Sequence, residues 1–436
     1  MTHRIFLKTL IFIFIFLLFC IAPRLGVSAP RIAIAPSSVM NLATVPGSSD
    51  PNQDEWPMFH GQLNHTGVAH TPIIPLTNRT SPYWSYLTGN AVWASPVVAA
   101  GRLYMSSYDY HVYCLNATTG KQLWNYTIGS GAYSLAFADG HVFIGTGGGS
   151  IICLYANNGT WLWSFTRSFA ITSAPAVMGG RVYVGSGDYR VYCINATTGK
   201  HIWNYTTGGQ VTSSPAVTSG RVYIGSQDTI IYCLNAITGI LVWSRPTGGS
   251  VDSSPAIYGG KVYVGSNDKK IYCLDANVGS PIWNYTTGDS VYSSPAVANS
   301  RVYVGSFDHN LYCLDAGTGT KLWSYTTGDR VASSPVVVGG LYVYLGSDDN
   351  KIYCLGAFLG DFLWSYATGG DVKSSPAVAS GRVYVGSWDS KIYCLPLNLV
   401  SGGGTPGPIP AFTMPFIILG AVITVCLVIL KKRMNF

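Results

Sequence analysis

One feature constrains the fold of this chain most: a tryptophan and a cysteine each recur eight times along it. The tryptophans are Trp84, Trp124, Trp163, Trp203, Trp243, Trp283, Trp323 and Trp364. The cysteines are Cys114, Cys153, Cys193, Cys233, Cys273, Cys313, Cys354 and Cys394. Spacing within each series is 39 to 41 residues, a period that indicates a repeated supersecondary unit and leaves little of the chain for anything else.

The repeat over residues 283–322 contains only short apolar segments. In order, these are Trp-Asn-Tyr-Thr-Thr-Gly, Val-Tyr-Ser-Ser-Pro-Ala-Val, Arg-Val-Tyr-Val-Gly-Ser and Asn-Leu-Tyr-Cys-Leu-Asp-Ala. Such segments, bounded by Gly, Ser, Asp or Asn, predict strands joined by tight turns. Four strands of about six residues and four connections of about four residues fill one period. We therefore predict an all-β fold, an eight-bladed β-propeller of four-stranded antiparallel blades over residues 52–395. A β-solenoid is the competing architecture, although its coils are usually shorter.

The order of motifs predicts how the ring closes. Trp84 precedes the first Ser-Pro pair, Ser95-Pro96, and no tryptophan follows the last Tyr-Cys-Leu, which ends at Leu395. Residues 83–86 are therefore expected to supply the outer strand of the last blade, which would remove an exposed sheet edge.

The beginning of the chain predicts secretion. Arg4 and Lys8 precede an apolar run over residues 10–22, and Val27-Ser28-Ala29 has the small residues of a cleavage site. Residues 1–29 are thus a predicted signal peptide, followed by a disordered linker over residues 30–51. An uncleaved N-terminal anchor is the alternative.

The end of the chain predicts a membrane anchor. Residues 411–430 are an uncharged apolar run of 20 residues, long enough to cross a bilayer as one helix. Basic residues 431–433 follow at once, which predicts a cytoplasmic tail over residues 431–436. Residues 396–410 form a Gly/Pro linker. The propeller is therefore expected outside the cell, on a single-pass protein whose helix binds the cell membrane. The apolar segment resembles the C-terminal anchors of archaeal surface proteins.

Charge and sequons agree with this placement. Seven basic residues near the two ends account for the net charge of +7, so the rest of the chain is neutral and a nucleic-acid partner is not expected. Eight Asn-X-Thr sequons are possible N-glycosylation sites, although the same residues also favour turns. They begin at Asn64, Asn78, Asn116, Asn125, Asn158, Asn195, Asn204 and Asn284.

The eight repeated cysteines are not expected to form disulfides. Each occupies the same place on the third strand of its blade, and equivalent positions in neighbouring blades would lie about 9 to 11 Å apart, whereas a disulfide needs Cα atoms within about 7 Å. Metal ligation fails for the same reason. We expect small, buried side chains between blades.

The repeated motifs identify a family resemblance. Val-Tyr-Val-Gly-Ser-x-Asp, Ile-Tyr-Cys-Leu-Asp-Ala and Thr-Gly-x-x-x-Trp resemble the pyrroloquinoline-quinone-type (PQQ-like) propeller repeat over residues 56–395. The lead-in at residues 56–61 and 65–67 resembles the segment that opens such propellers. The resemblance implies the fold and does not by itself imply a function.

The PQQ-like family has two branches that imply different functions. In quinoprotein dehydrogenases, Ca²⁺ and the quinone are held by a Glu, an Asn, an Asp base and an adjacent Cys pair. This chain has no Cys-Cys, and its one glutamate, Glu55, precedes the ring. The non-catalytic branch includes the lipoprotein scaffold of the outer-membrane barrel-assembly machine, and the chain resembles this branch better. No cofactor or metal site is predicted.

Positions that repeat are expected to build the scaffold, and positions that vary are free to specialise. The repeated aspartates are expected to cap the turn between the second and third strands. They are Asp109, Asp188, Asp228, Asp268, Asp308, Asp349 and Asp389. Two variable positions flank one mouth of the channel, one before the Ser-Pro pair and one before the turn aspartate. Their aromatic and charged members define a candidate binding face. It comprises Trp93, Tyr108, Tyr133, Asp252, Tyr292, Phe307, Lys373 and Trp388.

We therefore predict a non-catalytic binding or scaffolding module that takes a protein, peptide or glycan at this face, because exposed aromatic side chains are typical binding anchors. A structural or adhesive coat protein is the first alternative, and a quinone-dependent dehydrogenase is the second.

Overall fold

The structure, a computed structural model, describes residues 55–69 and 81–397, with the side chains of Tyr133 and Ser134 excepted. The predicted signal peptide, the linker of residues 30–51, the transmembrane segment 411–430 and the tail 431–436 lie outside the described residues. Within the described ranges, no helix has the length and apolarity of a membrane span.

The described residues form 33 β-strands. The first two are β1 (Val68–Ala69) and β2 (Trp84–Leu87). Blade 1 contains β3 (Val97–Ala99), β4 (Arg102–Ser106), β5 (His111–Asn116) and β6 (Gln122–Thr127), and blade 2 contains β7 (Ala132–Ala138), β8 (His141–Thr146), β9 (Ser150–Tyr155) and β10 (Trp161–Thr166). Blade 3 contains β11 (Ala176–Met178), β12 (Arg181–Ser186), β13 (Arg190–Asn195) and β14 (His201–Thr206), and blade 4 contains β15 (Ala216–Thr218), β16 (Arg221–Gly225), β17 (Ile230–Asn235) and β18 (Leu241–Pro246). Blade 5 contains β19 (Ala256–Tyr258), β20 (Lys261–Ser266), β21 (Lys270–Asp275) and β22 (Pro281–Thr286), and blade 6 contains β23 (Ala296–Ala298), β24 (Arg301–Gly305), β25 (Asn310–Asp315) and β26 (Lys321–Thr326). Blade 7 contains β27 (Val336–Val338), β28 (Tyr342–Ser347), β29 (Lys351–Gly356) and β30 (Phe362–Ala367), and blade 8 contains β31 (Ala377–Ala379), β32 (Arg382–Gly386) and β33 (Lys391–Pro396).

These strands build eight antiparallel sheets, so the predicted eight-bladed propeller is confirmed. In blades 1 to 7 the chain passes from the inner strand to the outer strand in order, and β1 adds a fifth strand to blade 7 by parallel pairing with β27. The outer strand of blade 8 is β2, which pairs with β33 through Trp84 opposite Cys394. The predicted closure is therefore also confirmed, and the ring closes without a covalent bond.

The inner strands differ from the prediction of about six residues per strand. Seven of them have three residues, while β7 in blade 2 has seven. A proline precedes each short strand, as Pro96 precedes β3, and proline has no N–H to donate to the ladder. Blade 2 has Leu135 in this region and its strand continues, so the proline sets the strand length.

The cysteines lie between blades, as predicted, and the tryptophans lie beside them. Trp283 lies opposite Cys273 in its own blade and donates from Nε1 to the carbonyl of Ala316 in the next blade at 3.2 Å. The Tyr263 hydroxyl donates to the same carbonyl at 3.0 Å. Gly319, at φ +74°, approaches the indole so closely that a Cβ there would lie 2.6 Å from Trp283 Cδ2. The period thus repeats one contact that joins each blade to the next.

The eight cysteines are buried and unpaired, which confirms that part of the prediction. Burial raises the pKa of the Cys273 thiol to about 12, because the thiolate would lose its hydration. These thiols are therefore protonated and unreactive at neutral pH.

A ring of serines joins the inner strands. The second serine of the Ser-Ser-Pro motif accepts a backbone N–H from the preceding blade, as when Ser254 donates to Ser294 Oγ at 2.9 Å. The contact between Ser375 and Ser95, at 3.2 Å, carries the ring across the junction between the last and first blades. Blade 3 has Ala174 at this position, and its N–H donates to Ser214 Oγ at 2.9 Å. These serines hold neighbouring blades together, so their role is structural.

Candidate functional site

The channel has two ends, which we name by their turns. The lower end carries the turns between first and second strands, such as residues 100–101, and the upper end carries the turns between second and third strands, such as residues 107–110. The connections from one blade to the next also lie at the upper end, because strands alternate in direction. The candidate face therefore belongs to the upper end.

Residues 55–69 fill the channel near the lower end. Their carbonyls accept a backbone N–H from the inner strands of six blades, at 2.6 to 2.9 Å. The pairs are Trp56 with Val98, Pro57 with Phe137, Leu63 with Val217, Asn64 with Ile257, Thr66 with Val297, and Gly67 with Val337. Glu55 also accepts from the N–H of Ala100 in a lower turn, at 2.9 Å. In the sequence this segment stood out only as a family signature, and its place in the channel was not predicted.

Two histidines are buried within this segment. His60 and His65 are each 2% exposed, and His60 Nδ1 lies 3.2 Å from the carbonyl oxygen of His65. Burial lowers the pKa of His60 to about 4 and that of His65 to about 3, because the charged imidazolium cannot be hydrated there. Both rings are therefore neutral at physiological pH.

The repeated aspartates frame the upper end, and the prediction that they cap the turn is confirmed. Asp268 Oδ1 accepts from the N–H of Lys270 at 3.1 Å. Its Oδ2 accepts from the Tyr272 hydroxyl at 2.5 Å and from the N–H of Gly248, in the connection from the preceding blade, at 2.8 Å. Six of the seven carboxylates make the contact to the preceding connection, so they also join two blades. Asp188 is the exception: its Oδ2 accepts from the Tyr192 hydroxyl, and its Oδ1 has no hydrogen-bond partner in the described residues.

Three aromatic members of the candidate face meet where blade 8 joins blade 1. The Trp93 ring centroid lies 6.0 Å from both the Tyr108 and Trp388 centroids. Trp93 is 43% exposed and Trp388 is 40% exposed. Lys373 Nζ lies 4.0 Å from the centre of the Trp388 ring. The structure thus brings together four residues that are distant in sequence.

Lys373 also forms two ion pairs. Its Nζ lies 3.3 Å from Asp371 Oδ2 and 3.8 Å from Asp348 Oδ2. Burial is the main cause that raises the pKa of Asp348 to about 6. Neither aspartate was predicted from the sequence, although Asp348 occupies the same variable turn position as Trp388.

The other members of the face lie apart from this cluster. Tyr292 stacks on Phe307 in blade 6, with ring centroids 4.7 Å apart and planes at 10°. Tyr133 belongs to β7, and its side chain lies outside the described part of the structure.

Asp252 is the centre of a polar network that joins blades 4 and 5. Its Oδ1 accepts from Thr212 Oγ1 at 2.5 Å and from Gln227 Nε2 at 2.9 Å, and its Oδ2 accepts from Asn267 Nδ2 at 2.8 Å. Thr212, Gln227 and Asn267 occupy the two variable positions, so the signal that indicated Asp252 was also present at its partners.

The sequons occupy three kinds of site, and Asn78 lies outside the described residues. Asn125, Asn204 and Asn284 are exposed on outer strands. Asn116, Asn158 and Asn195 accept backbone N–H groups within lower turns. Asn64 is half-buried in the channel segment.

The described residues do not fit a Ca²⁺-bound quinone. No three His, Cys, Asp or Glu side chains in residues 55–69 and 81–397 converge as metal ligands would. Glu55 binds a lower turn, and the carboxylate of Asp252 is engaged by three side chains of its own chain. We derive no chemistry through a quinone.

Two known protein families have models that match parts of this chain. The family model described as "Outer membrane protein assembly factor BamB" matches residues 77–171 and 308–398. The one described as "Beta-alanine-activating enzyme, beta-propeller" matches residues 138–337. A search of curated proteins found no match.

Solved structures similar to the chain have diverse functions. BamB from Moraxella catarrhalis is 20% identical with a TM-score of 0.64, covering 72% of this chain and 98% of that one. A europium-containing methanol dehydrogenase is 18% identical with a TM-score of 0.69, covering 78% and 91%. The computationally designed Ika8 protein is 19% identical with a TM-score of 0.67, covering 73% and 100%. At these identities the likeness shows the fold alone.

The class is therefore the eight-bladed β-propeller. Within it, the repeats resemble those of PQQ-like propellers, and residues 77–171 and 308–398 are similar to the BamB family model.

Proposed function

We propose that the chain is an extracellular, membrane-anchored and non-catalytic scaffold that binds a protein partner at the candidate face. The observation that carries this proposal is the cluster of Trp93, Tyr108 and Trp388 at variable positions of the upper end. Large aromatic side chains held in a rigid frame and partly exposed are typical binding anchors. The BamB-like repeats add support, because that family is described as an assembly factor.

The position of Leu397 supports an orientation for this scaffold. Strand β33 runs from the upper end to the lower end, so the chain leaves the ring at the lower end. Residues 398–410 would reach at most about 45 Å before the proposed anchor over residues 411–430. The lower end would then lie near the membrane, and the candidate face would point away from it.

Capture from envelope extracts tests the binding face. The soluble ring, residues 51–400, is compared with the double variant Trp93→Ala/Trp388→Ala. The matched control is Trp161→Ala, an equally exposed tryptophan on the outer strand β10. We expect one discrete protein to be captured by the ring and the control, and lost with the double variant while the melting curve is unchanged. Equal capture by all three proteins would contradict the proposal.

A surface coat is the second candidate, and exposed apolar residues at lower turns favour it. Ile237, Ile240, Val278, Phe358 and Leu359 are 58% to 78% exposed. A coat would self-associate through such residues, so sedimentation of the soluble ring separates the two functions. Concentration-dependent assembly that Phe358→Ser/Leu359→Ser abolishes would favour the coat.

A dehydrogenase remains the alternative to both, because methanol dehydrogenase shares the fold. Quinone-dependent dye reduction by the ring, assayed with Ca²⁺ and a primary alcohol, would support it.

A further inference from the structure

The carboxylate of Asp252 differs from the other carboxylates of the upper end that lie outside the repeated turn position. Asp289 pairs with Lys269 at 3.6 Å, and Asp371 pairs with Lys373 at 3.3 Å. Asp252 accepts only from Thr212, Gln227 and Asn267, and among the described residues it has no ion pair. Its negative charge is therefore held in place by neutral donors and is not balanced by a cation of the chain.

The network around Asp252 keeps unused acceptors. Asn267 Oδ1 has no hydrogen-bond partner in the described part of the chain. A carboxylate offers about four acceptor positions, of which three are used here. The amide of Asn267 cannot be reversed, because its oxygen would then face Asp252 Oδ2 at 2.8 Å. The network has acceptors that lack a hydrogen-bond donor. It therefore suits a ligand group that donates hydrogen bonds and accepts none.

An aromatic surface borders this network. Tyr292, 41% exposed, stacks on Phe307, and both residues belong to blade 6. Asn267 and Tyr292 occupy the same two neighbouring repeat positions as Trp388 and Trp93, whose ring centroids lie 6.0 Å apart. The aromatic ring and the carboxylate therefore lie on either side of one amide.

Lys373 of this chain is an example of a cation bound between an aromatic ring and carboxylates. Its ammonium group lies over Trp388 at 4.0 Å and beside the carboxylates of Asp371 and Asp348. An aromatic face and a carboxylate together stabilise an organic cation by cation–π and Coulomb attraction. Blades 5 and 6 present the same two groups at Tyr292 and Asp252.

We propose that Asp252, Asn267 and Tyr292 form a subsite for a lysine or arginine side chain of a partner protein. This inference rests on the proposed function and names the chemistry by which that face recognises its partner.

Titration of the soluble ring with short peptides tests the subsite. The probes are acetyl-Gly-Lys-Gly-amide and acetyl-Gly-Arg-Gly-amide, with acetyl-Gly-norleucine-Gly-amide as the neutral probe. We expect a basic peptide to bind at least tenfold more tightly than the neutral one. Asp252→Asn should weaken the basic peptide at least tenfold, while Asp289→Asn, a carboxylate at the same end, should not change its affinity. Equal affinities for D252N and the unchanged ring would overturn the proposal.

Tyr292 gives an independent readout if Asp252→Asn does not fold. Tyr292→Ala should weaken the basic peptide at least threefold, and Tyr292→Phe should restore it, because the ring face is retained. No change in Tyr292→Ala would contradict the subsite. Butylammonium binding as tightly as the peptide, or chitobiose binding that Asp252→Asn leaves unchanged, would assign the site to a free amine or a glycan instead. If the captured protein is lost with Trp93→Ala/Trp388→Ala but kept with Asp252→Asn, the scaffold proposal survives and this inference fails.

Discussion

The two ends of the channel are built in different ways. At the lower end, backbone carbonyls of residues 55–69 accept the equivalent N–H of one inner strand after another, and Trp56, His60 and His65 of this segment are buried. At the upper end, repeated aspartates form a frame, and side chains that vary among the blades lie beside it. The difference teaches that stability and recognition occupy opposite ends of the ring, so substitutions should separate them.

The largest expected effect is at the lower end. Trp56 is 2% exposed and exchanges two backbone hydrogen bonds with Val98. Trp56→Ala should lower the free energy of unfolding by about 3–5 kcal/mol, because a large buried side chain is lost. Chemical denaturation of the soluble ring measures this. Trp161→Ala, at an exposed position, should cost less than about 0.5 kcal/mol, and similar losses for both variants would refute the comparison.

The second largest expected effect is a pH dependence of the stability, caused by buried His60 at the lower end. A histidine in the unfolded chain has its ordinary pKa of 6.5, whereas burial lowers the pKa of folded His60 to about 4. The stability contributed by neutral His60 is therefore complete above pH 6.5 and is lost as the pH falls toward 4, by about 2–3 kcal/mol. Urea midpoints at pH 7.5 and 4.5 measure it. His60→Phe should reduce the slope, and His309→Asn, at the upper end, should keep most of it.

A smaller effect is expected in the frame of the upper end. Asp268→Asn keeps the side-chain shape but removes an acceptor for the Tyr272 hydroxyl and the Gly248 N–H. The expected cost is about 1–3 kcal/mol, because both donors lose a charged partner. Thermal denaturation measures it, with the exposed Asp289→Asn as the matched control. A cost no greater than that of the control would show that the turn aspartates do not stabilise the ring.

The smallest effect concerns the serine ring between the two ends. Ser294→Ala removes the acceptor of the buried Ser254 N–H. A loss of about 1 kcal/mol is expected. Exposed Ser280→Ala supplies the baseline in the same denaturation series, and indistinguishable midpoints would mean that the ring of serines adds nothing.

Much of the fold could be predicted because the same sequence motifs recur in each repeat. The period predicted eight blades, and the displaced Trp84 predicted the closure. The short inner strands were not predicted. The average strand length takes no account of prolines such as Pro96, which have no N–H to donate to the ladder.

The candidate site was predictable only in part. Comparison between repeats pointed to Trp93, Trp388 and Asp252, because these positions differ where others agree. It did not show that Lys373 lies between Asp348 and Asp371, since blade 7 and blade 8 residues meet only after the strands are placed.

The sequence by itself determined the architecture, since a repeated Trp, Cys and Asp impose the same local contacts in every blade. Only the tertiary structure decided which side chains meet at the upper end and that residues 55–69 fill the lower end. The physical reason is distance along the chain: Trp56 contacts β3, and Gly67 contacts β27. Contacts made once, between residues far apart in sequence, leave no period to detect.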